Sequence, residues 1–169
     1  MAKSRRLELK SKLDHVGILV EKLDDQVIKF YQEALGCGKA KFFHVKNADE
    51  EINYAYLPFP KGDNYVKLLA PVRGPSKEYM NKKGPGALFE ICVEVDSIDE
   101  FYDEMRKKDI TLCDPMGVPL ASDQKWCSIP GDDNKYAYMP TDRTYGTTIE
   151  ILERSTWTRG TYWKGPSES

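Results

Sequence analysis

The order of segments in the first half of this chain recurs in the second half, and that repetition limits the fold more than any single motif does. Leu13-Asp14-His15-Val16-Gly17-Ile18-Leu19-Val20 and Leu88-Phe89-Glu90-Ile91-Cys92-Val93-Glu94-Val95 are both short runs rich in β-branched residues, and each leads into a helical pattern. Tyr54-Ala55-Tyr56-Leu57-Pro58 returns as Tyr136-Ala137-Tyr138-Met139-Pro140. After each comes a turn-rich stretch and an apolar strand, Tyr65-Val66-Lys67-Leu68-Leu69 in one half and Thr148-Ile149-Glu150-Ile151-Leu152 in the other.

The helical patterns divide in the same way. Val27, Phe30, Tyr31, Ala34 and Leu35 fall on one apolar stripe, and Gly36 follows where a left-handed cap ends a helix. Ser97 and Glu100 have capping-box spacing ahead of Phe101, Tyr102 and Met105. Each half therefore reads as strand, helix and three strands. The predicted fold class is α+β: two βαβββ modules whose sheets form a cupped mixed sheet with flanking helices. The expected division is an N-terminal extension over 1–12, a first module over 13–71, a linker over 72–86, a second module over 87–153 and a tail over 154–169. The linker carries three glycines and two prolines. Trp157, Tyr162 and Trp163 in the tail are expected to pack over a surface or a neighbouring subunit.

Composition narrows the function classes. The 169 residues suffice for one domain or two small modules around a sizeable core. With 25 basic and 27 acidic residues, a net charge of -2 and no long run of either sign, the chain has no electrostatic footprint for nucleic acid. Met1 to Lys12 is polar and basic without an apolar core of a signal peptide, and no run of about 18 apolar residues is present. A cytoplasmic protein without a membrane partner is expected. Cys37, Cys92, Cys113 and Cys127 lack CxxC spacing and are read as free thiols.

Strand alternation then sorts the side chains. If Val16, Ile18 and Val20 face the first helix, His15, Gly17 and Leu19 face the cup. Likewise Ile91, Val93 and Val95 pack on the second helix, leaving Glu90, Cys92 and Glu94 opposite. Val66 and Leu68 bury, so Lys67 faces the cup, and Ile149 and Ile151 do the same for Glu150. Each of these polar residues also has an ordinary reading: a histidine near a strand start is usually only hydrogen-bonded, and charged residues on strands are usually solvated. His44, the other histidine, is read as a surface residue, and Cys92 as an apolar filler that could also approach the site.

Leu13-Asp14-His15-Val16-Gly17-Ile18, Leu68-Leu69-Ala70-Pro71, Gly84-Pro85-Gly86 and Thr148-Ile149-Glu150-Ile151-Leu152, in this order, resemble the vicinal-oxygen-chelate superfamily (glyoxalase, bleomycin resistance, dioxygenase), and within it the methylmalonyl-CoA epimerase-like branch. The resemblance runs from Leu13 to Glu153. It implies that His15, Lys67, Glu90 and Glu150 occupy the positions from which such proteins bind a divalent metal. His15 and Glu150 match that pattern. Lys67 stands where the family usually has glutamine or glutamate, and Glu90 where it usually has histidine. An ammonium has donors only and does not ligate a metal while protonated. Asn53 falls near the position of a carboxylate base in such epimerases.

Two readings of the cup remain open. In one, His15, Glu90 and Glu150 hold iron, manganese, cobalt, nickel or zinc, while Lys67, its pKa lowered by the dication, moves protons or binds an anionic substrate group. In the other, Lys67 replaces the metal by neutralising the two glutamates. The first leads to an isomerase, epimerase or lyase acting through an enolate on a small substrate with vicinal oxygens, with Lys67 and Glu150 as catalytic groups and Lys67, Cys92, Tyr54 and Tyr56 contacting the substrate. The second leads to a metal-free binding protein of the bleomycin-resistance type. An iron-dependent oxygenase is a third reading, weakened by the missing second histidine. The resemblance also implies a homodimer.

Overall fold

The computed structural model describes residues 11–128 and 134–154. In chain order the elements are β1 (Ser11–Leu19), α1 (Asp25–Leu35), β2 (Lys41–Lys46), β3 (Glu51–Pro58), β4 (Tyr65–Arg73), α2 (Pro75–Lys83), β5 (Leu88–Val95), α3 (Ile98–Arg106), β6 (Lys135–Tyr138) and β7 (Ile149–Glu153). The seven strands form one mixed sheet in the order β2-β3-β4-β1-β5-β7-β6. Its centre is the seam between the two halves, where β1 and β5 run antiparallel. Outward from the seam each half repeats the other: β4 lies parallel to β1 as β7 does to β5, and β3 and β6 follow antiparallel. The chain thus adopts the expected α+β fold.

Each half builds its own core on the helix side of the sheet. Ala55, Leu57, Val66, Leu68 and Ala70 pack with Val20 and Ile28. Ile151, Ala137 and Val95 pack with Ile98, Phe101, Tyr102 and Met105 of α3. Both expected helix ends are present. Gly36 takes the left-handed conformation at φ 67, and the Ser97 hydroxyl accepts from the Glu100 backbone N–H at 3.2 Å. The start of α3 is also tied to the end of β7, because the Ile98 N–H donates to Glu153 Oε2 at 2.8 Å.

Three features differ from the sequence reading. First, among the described residues the second half has no strand that corresponds to β2. Beside β6 stand two isolated bridges instead, Cys113 to Tyr138 and Cys127 to Tyr136. Pro115 and Pro119 interrupt that segment, and Asp114 Oδ1 accepts from the N–H groups of Met116 and Val118 at 2.8 and 2.9 Å, so the chain turns where a strand would extend. Second, the 72–86 linker is structured: β4 runs on to Arg73, and α2 starts at Pro75, which fits the first helical turn because no N–H is required there. Third, α1 is rotated from the expected stripe. Ile28 is buried with Val27 and Tyr31 beside it, whereas Phe30 and Leu35 are 62% and 47% exposed. A helical period is satisfied by either flank, and the contacts of Val20 and Leu23 in the entering loop decide which one meets the sheet.

Of the expected N-terminal extension, Ser11 and Lys12 already belong to β1, and the rest lies outside the described residues. So do Trp157, Tyr162 and Trp163 of the tail. All four cysteines are free thiols. Among the described residues no helix is long and apolar enough to cross a membrane.

The orientation of α1 is testable by urea unfolding. Ile28→Ala is expected to cost about 2–5 kcal/mol through the cavity it leaves. Phe30→Ser is expected to stay within about 0.5 kcal/mol of the parent. The reverse ranking would restore the stripe read from sequence.

Candidate functional site

Four strands deliver one side chain each to the same spot on the cup face. Gly17 is the register partner of both Lys67 on β4 and Glu90 on β5, while His15 pairs with Cys92, which in turn pairs with Glu150 on β7. The glycine makes the convergence possible. A Cβ at position 17 would lie 2.7 Å from Glu90 Cγ and 3.1 Å from Glu90 Oε1, so Glu90 folds across space that any other residue would fill.

His15 and Glu90 are almost wholly buried, and Lys67 and Glu150 nearly so. His15 Nε2 lies 3.3 Å from Glu90 Oε1 and 3.4 Å from Glu150 Oε2. Lys67 Nζ donates to Glu90 Oε1 at 2.7 Å and stands 4.0 Å from Glu150 Oε2. The last atom, buried Glu150 Oε2, makes no hydrogen bond among the described residues. The site opens into a cleft of about 1490 Å3, walled on one side by Tyr54, Leu69 and Phe89 and on the other by Trp126, Tyr136 and Tyr138.

The expected cup residues separate into two layers. Lys67, Glu90, Glu150 and Tyr54 line the cleft. Tyr56 and Cys92 lie deeper. The Tyr56 ring meets the His15 ring edge-on at 5.2 Å, and Cys92 is fully buried beside His15. Lys67 Nζ sits over both tyrosine faces, 5.2 Å from Tyr54 and 5.7 Å from Tyr56, a stabilising arrangement for a cation. Asn53 is not in the cup. By strand alternation it shares the helix-side face with Ala55, and its side-chain Oδ1 is 2.8 Å from Nδ1 of exposed His44.

Burial alone would push the Glu90 carboxyl up, but the Lys67 charge and the His15 hydrogen bond overrule it and hold the group at about 2. Burial likewise opposes charge on Lys67, yet the negative charges of its surroundings, led by Glu90, hold its pKa well above the ordinary value. Lys67 is therefore a firm ammonium in this arrangement, fitted to bind an anion. The fall in its pKa expected beside a dication does not arise from the protein's own groups. On the opposite wall, burial and the neighbouring Glu150 raise Tyr138 well above an ordinary phenol.

The donor set fits a divalent metal. Ligand atoms about 2.1 Å from a first-row ion stand about 3.0–3.4 Å from one another. The separations of His15 Nε2 from Glu90 Oε1 and Glu150 Oε2, 3.3 and 3.4 Å, are of that size. All three donor atoms lie within 4.8 Å of one another. The unpartnered Glu150 oxygen is a second point in favour, since buried carboxylate oxygens without a partner are rare.

Sequence reasoning missed Asp14 and Arg154. Alternation turns Asp14 away from the cup, but a register shift between Leu13 and His15 makes it a bulge residue, and its Oδ2 lies 2.7 Å from His15 Nδ1. Arg154, just beyond the last strand, donates to both Asp14 oxygens. A buried aspartate demands such a partner, and the sequence holds too many arginines and lysines to identify which one.

The sequence model of the Glyoxalase/Bleomycin resistance protein/Dioxygenase superfamily matches residues 14–127. No curated protein matches the chain in sequence. Among solved structures, the methylmalonyl-CoA epimerase of Mycobacterium tuberculosis is similar with a TM-score of 0.69 at 22% identity, covering 88% of this chain and 91% of that one. A variant of the Streptomyces coelicolor methylmalonyl-CoA epimerase, in complex with 2-nitronate-propionyl-CoA, gives 0.66 at 18% identity over 88% and 96%. A methylmalonyl-CoA epimerase in complex with methylmalonyl-CoA and NH4+ gives 0.66 at 18% over 86% and 96%.

Two outcomes test this geometry. Gly17→Ala is expected to cost about 1–3 kcal/mol in urea unfolding and to displace the Glu90 side chain in a crystal structure of the variant. An unmoved Glu90 would contradict the crowding described. The second concerns pH. Glu90 has a folded pKa of about 2 against an ordinary 4.5, so the unfolded chain binds more protons between those values. The contribution of Glu90 is present above about pH 4.5 and is lost as pH falls towards 2. The acid limb of the stability profile should be shallower in Glu90→Gln, and an unchanged slope would count against the assignment.

Proposed function

The chain belongs to the Glyoxalase/Bleomycin resistance protein/Dioxygenase superfamily, and from that premise we propose that it is a metal-assisted isomerase, epimerase or lyase acting on a small substrate with vicinal oxygens. Such substrates include 2-oxo acids, hydroxycarbonyls and acyl thioesters. The observation that carries this reading is the buried convergence of His15, Glu90 and Glu150 with one carboxylate oxygen left unpartnered at the floor of a cleft. In this reading these three side chains hold a divalent metal: iron, manganese, cobalt, nickel or zinc. When bound, it would supply Lewis acidity towards substrate oxygens.

The chain's own groups account for the rest. Lys67, a fixed ammonium at the cleft, binds the negative charge that develops when a carbon acid becomes an enolate. Glu150 takes the carbon proton: a carboxylate has two oxygens, so one can serve the metal while the other reaches the substrate. Tyr54 offers an aromatic wall beside Lys67. The cleft, about 1490 Å3, exceeds the roughly 300–1,000 Å3 common for small-ligand sites, which supports a substrate with an appended group. Several proteins that share this fold are methylmalonyl-CoA epimerases; the proton-transfer class, rather than their particular substrate, is extended to this chain. A cytoplasmic homodimer belongs to the same reading. The four free thiols support a reducing compartment, and the subunit number is measurable by sedimentation.

A second reading has its own observation. Lys67 Nζ, 2.7 Å from Glu90 Oε1, already neutralises part of the buried acid, as a metal-free sequestering protein would need. Elemental analysis of protein purified without added metal, beside Glu150→Ala, separates the two. About one equivalent of metal per chain, lost in the variant and followed by a drop in melting temperature on chelation, is the expected result. No metal in either protein, with no response to chelators or to added metals, would overturn the metal-assisted reading in favour of ligand sequestration.

A further inference from the structure

His15 is oriented from behind by two residues that the cleft does not touch. Its Nδ1 lies 2.7 Å from Asp14 Oδ2, and both residues have no exposed surface. Arg154 grips the same carboxylate with two nitrogens, Nε to Oδ1 at 3.2 Å and Nη2 to Oδ2. The guanidinium carbon in turn lies 5.8 Å above the ring of Tyr65. The Tyr56 ring edge closes the other side of the imidazole.

We propose that Asp14 and Arg154 are positioning residues, a relay that fixes a proton of His15 on Nδ1 and aims Nε2 at Glu90 and Glu150. The chemistry is one of donors and acceptors. A guanidinium can only donate, so Arg154 commits the Asp14 carboxylate to accepting. The only donor His15 can offer that carboxylate is an Nδ1 proton. Its other nitrogen, Nε2, faces two carboxylate oxygens at 3.3 and 3.4 Å; it hydrogen-bonds to Glu90 in the metal-free chain and would offer its lone pair to a metal in place of that proton. Partners of this kind behind a ligating histidine fix its tautomer and ring angle and raise its basicity. The bulge at Asp14 is what brings the carboxylate round to the ring: in a regular strand the residue before His15 would point to the other face.

The relay also crosses the molecule. Asp14 and His15 come from the first strand of the first half, and Arg154 from the end of the second half. A donor of one module is thus oriented by a residue of the other, so the relay is complete only when the two halves are docked.

The part of this inference that concerns metal affinity rests on the metal-assisted reading, whereas the Nδ1 proton does not. Both are measured on the full chain. In metal-free protein, long-range 15N–1H correlation is expected to show His15 protonated on Nδ1. In Asp14→Leu/Arg154→Met, which removes both buried charges together and leaves neither orphaned, the Nδ1 proton should be lost while circular dichroism and melting temperature stay near the parent. Zinc(II), titrated against a chromogenic chelator, should bind about 10–100-fold more weakly to that variant. Arg154→Lys, which keeps the charge and loses the fork, should fall between the two. It also keeps the test decisive if the double variant does not fold. An unchanged Nδ1 proton in the variants, or zinc affinity within twofold of the parent, overturns the relay and leaves a structural ion pair. Absence of zinc binding by the parent overturns the metal reading instead, and the Nδ1 proton comparison then decides the relay alone.

Discussion

Glu90 and Glu150 are buried carboxylates whose oxygens approach one nitrogen of one histidine, at 3.3 and 3.4 Å. Taking two like charges out of water towards one another is costly, and the cost falls only if positive charge is delivered to the same place. Much of the structure serves that need. β4 carries Lys67 to within 2.7 Å of Glu90, with two tyrosine faces steadying the ammonium. Gly17 stays without a side chain so that Glu90 can reach across β1. The antiparallel seam between β1 and β5 supplies the register that sets all four strands in step.

Much of this was legible in the sequence, because the repeat and the alternation of apolar residues express the same constraint. Val66 and Leu68 on the helix side require Lys67 on the other, and Ile149 and Ile151 do the same for Glu150. Where alternation failed, the backbone departs from a regular strand. Asp14 sits at a bulge, and a bulge carries no residue signature beyond the pairing it interrupts. Asn53 was drawn towards the cup by its position along the chain, and the face it shares with Ala55 takes it out. On α1 both flanks are apolar, so periodicity could not choose between Ile28 and Phe30; the loop that leads into the helix does. Among the described residues the counterpart of β2 is replaced by bridges where Pro115 and Pro119 interrupt the chain, a signal that a match between the halves does not carry.

A lysine among metal donors and a metal among carboxylates are two answers to the same electrostatic problem. They are not exclusive. Lys67 donates to Glu90 Oε1, while Glu150 Oε2 is left without a hydrogen bond among the described residues. One ammonium at 4.0 Å from that oxygen satisfies it poorly. A buried oxygen in that condition is a standing demand for a cation, whether it arrives as a metal or on a ligand.

The charges of the site are divided between the two halves of the repeat. The equivalent positions of the two halves have diverged in sign: His15 and Lys67 come from the first, Glu90 and Glu150 from the second. Each half alone would hold two like groups on an apolar face, the first basic and the second acidic. Asp14 and Arg154 reverse the pattern, acid from the first half and base from the second. Docking along β1 and β5 therefore neutralises two sets of charges at once, in opposite directions. A slip of one residue in that seam would turn His15 or Glu90 to the helix face and separate both sets, so the polar centre disfavours every register but one. The groups that give this site its chemistry are thereby also groups that specify how the two modules fit together.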